Sequence, residues 1–136
     1  MRFLSSTLSL LLIIGVLASA PVASADVGRQ EKKLVDLVNE ERAKDGKPAV
    51  TIHVRLSRRA ERHSRAMASA NELFHSGTIS AGQAEIIGKG PSMRAIVRGF
   101  LRSPTHRTIL LGRSYSRVGV GVATGHGYKW ATLIFT

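Results

Sequence analysis

The chain reads as an α+β protein, a three-layer α-β-α sandwich in which helices cover both faces of a small, mostly antiparallel sheet. Three observations predict this. Apolar residues recur at three-and-four spacing in residues 29–45, 56–70 and 93–102. The last twenty residues are β-rich, and Gly125-His126-Gly127 divides them as glycines do at a hairpin turn. With no repeat, low-complexity tract or internal linker, these elements belong to one domain.

In chain order, residues 1–25 read as a secretory signal peptide. Arg2 supplies the positive start, Leu8 to Leu17 the apolar run, and Ala23-Ser24-Ala25 a small-x-small site with cleavage before Asp26. The alternative, a retained membrane anchor, is poorly served by so short a core. Residues 26–136 then form the domain, and no membrane-spanning segment is expected after cleavage.

The first helix, residues 29–45, places Leu34, Leu37, Val38 and Glu41 on one stripe widened by Val35, with Glu40 able to pair with Lys44 and Gly46 and Pro48 as a stop. An extended stretch, residues 50–54, follows. The second helix sets Leu56, Ala60, His63 and Met67 against Arg58, Arg62 and Arg65, so His63 faces the core. Ser92 caps a third helix in which Met93, Ile96, Val97, Phe100 and Leu101 share a face opposite Arg94, Arg98 and Arg102. Ser103-Pro104 restarts a helix, ended by Gly112. There His106 occupies the third helical position, where the positive helix end disfavours an extra ring proton. Val118, Val120 and Val122 lie on one strand and residues 128–135 on the next, with Trp130 as core packing.

The formal net charge is +11, which favours polyanions such as wall polymers, anionic lipid head groups and nucleic acid. Aromatic residues make up 5% of the chain, too few for a base-stacking platform, so no specific nucleic-acid partner is expected. Without cysteine, an exported domain must rely on burial alone, and a monomer is expected.

Five segments together are specific: residues 34–42; residues 56–67 with Ala60 and His63-Ser64; Phe74-His75-Ser76-Gly77; Ala84-Glu85-Ile86-Ile87; and residues 100–107 ahead of Val118-Gly119-Val120-Gly121. In this order they resemble the CAP superfamily, named for cysteine-rich secretory proteins, antigen 5 and plant pathogenesis-related 1, in its compact bacterial form. The resemblance covers essentially the whole of residues 26–136. It implies the same three-layer fold, an extracellular location, and convergence of His75, Glu85 and His106 in a central cavity. Spacing alone does not gather them.

Neutral imidazole is a common ligand for zinc and related cations, and a carboxylate can balance charge or orient a bound water. Many members of the family carry a second Glu three positions after a Trp; the matching positions here are Phe100 and Ser103. Two imidazoles and one carboxylate remain, and water or substrate would fill the open positions. The reading these residues lead to is a secreted binding module holding a divalent cation such as zinc, with an apolar or envelope-derived ligand. Two alternatives stand beside it. One is a metal-assisted hydrolase of peptides or wall polymers, with His75 and His106 as ligands and Glu85 as base. The other is an envelope-associating protein whose arginine faces hold anionic polymers or lipid while the three residues form only buried hydrogen bonds. His53 and His126 are expected to be exposed without a role.

Overall fold

The computed structural model describes residues 23–136, with side chains from residue 28; residues 1–22, which carry most of the expected leader, lie outside it. Among the described residues the order is α1 (Ala23–Lys44), β1 (Thr51–Ile52), α2 (Val54–Ala70), β2 (Ala84–Gly90), α3 (Met93–Arg102), α4 (Pro104–Leu110), β3 (Arg117–Gly125) and β4 (Tyr128–Phe135). The sheet order is β1-β3-β4-β2, with β1 parallel to β3 and the other pairs antiparallel. Among the described residues no helix is long and apolar enough to cross a membrane.

The period-two alternation Val118-Gly119-Val120-Gly121 explains the layering. Its valines join Leu34, Val38, Ile96 and Phe100 in the larger core, beneath α1 and α3. Its glycines face α2 so closely that a Cβ on Gly121 would stand 2.1 Å from the backbone nitrogen of Glu61, and one on Gly119 2.3 Å from Leu56 Cβ. The α2 backbone therefore rests directly on β3. Two hydroxyls fix its register, Ser57 Oγ accepting from Val120 N at 3.0 Å and Ser64 Oγ lying 2.9 Å from both Gly121 O and Thr132 Oγ1. Met67, Ile87 and Trp130 fill the rest of this interface.

The helix faces agree with the periodicity, the row Arg94, Arg98 and Arg102 included, which is exposed. Several details differ. The extended stretch is only Thr51–Ile52, because Val54 already begins α2, which His53 caps by accepting from Leu56 N at 3.4 Å. His53 thus has a structural part. Lys44 pairs with Glu41 at 2.7 Å rather than with Glu40, since the last turn of α1 brings the i,i+3 partner closer. The strand Ala84–Gly90 has no clear signature in the sequence, because Gly88 and Gly90 dilute its β character. Gly88 is there for space: an added Cβ would meet the Phe100 ring at 2.9 Å. The hairpin turn is His126-Gly127, both at positive φ (53° and 77°), as a two-residue turn of this hand requires.

Candidate functional site

β2 is an edge strand, and it lies between the loop that follows α2 and the helices α3 and α4. Odd-numbered Glu85 and Ile87 face the α2 layer while Ile86 joins the core beneath α1 and α3. The loop following α2 passes this edge and delivers Phe74-His75-Ser76, and α4 supplies His106 from the other side. Asn71, with positive φ (53°), ends α2 and starts the loop; Gly77, also at positive φ (68°), bends the chain back immediately after the two residues that touch Glu85.

Glu85 is the anchor. Its side chain is 2% exposed, and Oε1 takes two donors, the Ser76 N–H at 2.9 Å and His75 Nδ1 at 2.9 Å. Oε2 is buried and has no hydrogen-bond partner among the described residues. Burial alone would push the carboxyl up. The Ser76 hydroxyl and N–H, His75 and the nearby His63 imidazole more than reverse this and hold it below the ordinary carboxylate range. Glu85 is therefore ionised at neutral pH. A carboxylate only accepts, so His75 Nδ1 carries the proton of this contact, and in the neutral ring Nε2 holds the lone pair. The His75 side chain is 63% exposed, leaving Nε2 within reach of solvent.

His106 is half-buried and packs edge-on against Phe100, ring centres 5.4 Å apart. Burial first, and neighbouring His75 second, pull its pKa below the ordinary 6.5, so the ring is neutral at pH 7. The direction agrees with the sequence reading but the cause differs: Ser103 makes no side-chain cap bond, and desolvation does the work. His75 and Glu85 are thus joined directly, with His106 beside them and without a hydrogen bond to either. Among the described residues no three His, Asp or Glu side chains gather into a ready-made metal cluster. Beyond His106 opens a cavity of about 200 Å³ with Leu73, Ile87, Ile96 and Phe100 in its wall.

Two further residues contribute to the site without a site role in the sequence reading. Ser76 holds Glu85 through its backbone N–H, which any residue possesses and no pattern reveals. His63, placed in the core by periodicity, braces the loop by contacting Phe74 O at 2.6 Å and the Phe74 ring edge-on at 5.1 Å. Ser64 is fully buried in bonds between α2 and the sheet and is no nucleophile. His126 is exposed in the hairpin turn, and Trp130 is buried as core.

Comparison with known proteins meets this geometry. The profile of the cysteine-rich secretory protein family (CAP) matches residues 35–135, a span that includes His75, Glu85 and His106. No curated protein matches. Among solved structures, an extracellular protein containing an SCP domain from Bacillus anthracis is 24% identical with a TM-score of 0.69; the match covers 86% of this chain and 44% of that one. The chain thus spans under half of that protein's length. An outer surface protein of Borrelia burgdorferi is 14% identical with a TM-score of 0.65, covering 79% and 91%. Venom allergen-like protein 4 of Schistosoma mansoni is 9% identical, with a TM-score of 0.62 and coverage of 79% and 87%. At these identities the likeness is one of fold, and the profile match supplies the family. The chain belongs to the cysteine-rich secretory protein (CAP) family.

Proposed function

We propose that this CAP domain acts outside the cell as a binding module whose sheet-edge site takes a divalent cation through imidazole nitrogens. The carrying observation is the 2.9 Å contact between ionised Glu85 Oε1 and His75 Nδ1. A carboxylate that receives one ring N–H orients the imidazole and leaves the other nitrogen as the ligand, an arrangement common behind metal-bound histidines. His106, kept neutral by burial, supplies a second lone pair of the same kind. The residues present fit such an ion in donor type and in the orphaned Glu85 Oε2, whose negative charge would favour it. When bound, the ion would act as a Lewis acid; the chain's own part is to orient His75, keep His106 neutral and hold Glu85 ionised behind them.

The family membership and the extracellular or surface character of the structural neighbours support the location. A ligand role is favoured over hydrolysis by the charge state of Glu85. A general base works best with a pKa near the working pH, and Glu85 is held below the ordinary carboxylate range.

The test is calorimetric titration of the purified, chelator-treated protein with Zn²⁺. One equivalent should bind, and His75→Ala with His106→Ala should weaken binding by well over about tenfold, the loss expected when second-shell partners alone are removed. Equal heats from both proteins would remove the proposal.

A further inference from the structure

A second concavity lies on the other side of Ser76, against the exposed face of α2. Its volume is about 410 Å³, and its walls are Arg59, Arg62, His63, Ala66, Ser76 and Thr78. We propose that this cleft is an oxyanion subsite that binds phosphate groups along a water-soluble polyanion of the phosphodiester class. The proposal does not depend on the cation site.

The wall holds two guanidinium groups and an imidazole and no carboxylate, and its two hydroxyls are bonded to each other, Thr78 Oγ1 to Ser76 Oγ at 3.3 Å. Arg59 is held in place by the Thr78 carbonyl and by Thr78 Oγ1 at 3.2 Å, so its fork is set before a ligand arrives. Arg62 is exposed and makes no hydrogen bond or ion pair among the described residues, whereas Arg65, one turn away, is already paired with Glu61. Two planar guanidinium forks facing one cleft can share the several oxygens of a phosphate, more than the two a carboxylate offers. The volume would hold on the order of a dozen waters, which is room for a phosphate with the polar unit next to it. No large aliphatic side chain and no Phe, Tyr or Trp lines the cleft, so an acyl chain finds no deep apolar seat there, and a soluble polymer suits it better than a lipid. The net charge of +11 draws polyanions to the surface without choosing a place for them, and the cleft chooses one.

The experiment titrates the protein with poly(glycerol phosphate) at near-physiological salt, with inorganic phosphate as competitor. Arg62→Gln cannot disturb the fold through a lost contact, and it is compared with Arg59→Gln/Arg62→Gln and with Arg94→Gln/Arg98→Gln, which removes equal charge from the exposed row on α3. The cleft double variant should lose about tenfold or more in affinity and Arg62→Gln a lesser share, while the α3 double variant changes less than about twofold. Inorganic phosphate should compete, and it should compete equally in chelator-treated protein, which separates this site from the cation site. Equal losses in the two double variants, failure of phosphate to compete, equal binding of polyglutamate, or binding confined to phosphatidylglycerol vesicles would each overturn the proposal.

Discussion

Arg42 and Glu85 are both buried charges, and they are satisfied in opposite ways. Arg42 is fully buried with no carboxylate partner. Its guanidinium instead donates to four backbone carbonyls: Nε to Pro48 at 2.8 Å, Nη1 to Leu110 at 2.8 Å and Gly112 at 3.0 Å, and Nη2 to Tyr115 at 3.3 Å. Burial pulls its pKa down, yet guanidinium stays charged in proteins. Glu85 has two donors on one oxygen and none on the other. A buried charge satisfied on all three of its nitrogens is a strut: four of its five N–H donors are spent on joining the end of α1 to the segment after it and to the end of α4 and the loop beyond. A half-saturated one retains a capacity for something further, and Glu85 retains it at a sheet edge beside two imidazoles.

If that distinction is right, the two residues must fail differently. Arg42→Met removes the strut and strands carbonyls in a dry interior, and a loss of about 3–5 kcal/mol is expected, as when one partner of a buried charged contact is removed. Urea unfolding should show it as a lower midpoint with the slope unchanged. A loss under about 1 kcal/mol would mean that water reaches those carbonyls and that Arg42 is no strut.

The same pair shows what a sequence can disclose. Helix faces were legible because packing acts on a period of 3.6, and the Val/Gly alternation of β3 because a sheet acts on a period of two. Arg42 was not, for it stands in Glu40-Glu41-Arg42, a stretch that reads as solvated, and three of its four partners lie 68, 70 and 73 residues away. His75 and Glu85 came together in the reading only through the family resemblance, since ten residues of spacing dictate no contact. The Ser76 N–H and the His53 cap were beyond pattern altogether, one being a backbone group and the other a residue rarely chosen as a helix cap. The strand carrying Glu85 was hidden by glycines whose purpose is to admit Phe100 and Ile96.

Glu85→Gln should cost far less than loss of the strut. The amide still accepts from Ser76 N–H, and only the charge assistance disappears, worth about 1 kcal/mol at neutral pH. In chelated protein the cost should also depend on pH with a definite sign. The folded pKa of Glu85 lies below the unfolded value of 4.5, so its contribution is complete above that value and is lost as pH falls through the folded pKa. Stability curves of wild type and variant should therefore converge as pH is lowered from 6 to 3. A gap that is constant with pH would show that the carboxylate's ionisation is not what the Ser76 and His75 donors stabilise.

Glu31 sharpens the comparison because it shares the buried, unpartnered oxygen of Glu85 and lacks its donors. Burial first and the nearby Glu61 second raise its pKa from 4.5 to about 7, with Arg65 opposing them. The folded state consequently holds the Glu31 proton more tightly than the unfolded chain does. Stability contributed by the neutral acid is present below about 4.5 and declines as pH rises towards about 7, the reverse of the Glu85 case. Glu31→Gln, which keeps the shape and abolishes the charge, should raise the melting temperature at pH 8 and leave it unchanged at pH 4. Because Glu31 is only partly buried, solvent screening limits the gain to below about 1 kcal/mol. A melting temperature that falls at pH 8 would mean that the ionised Glu31 is paired after all. An unsatisfied carboxylate oxygen would then cease to distinguish a site that attracts cations from a packing defect, and the pKa direction set by the surrounding donors would lose its value as the discriminator.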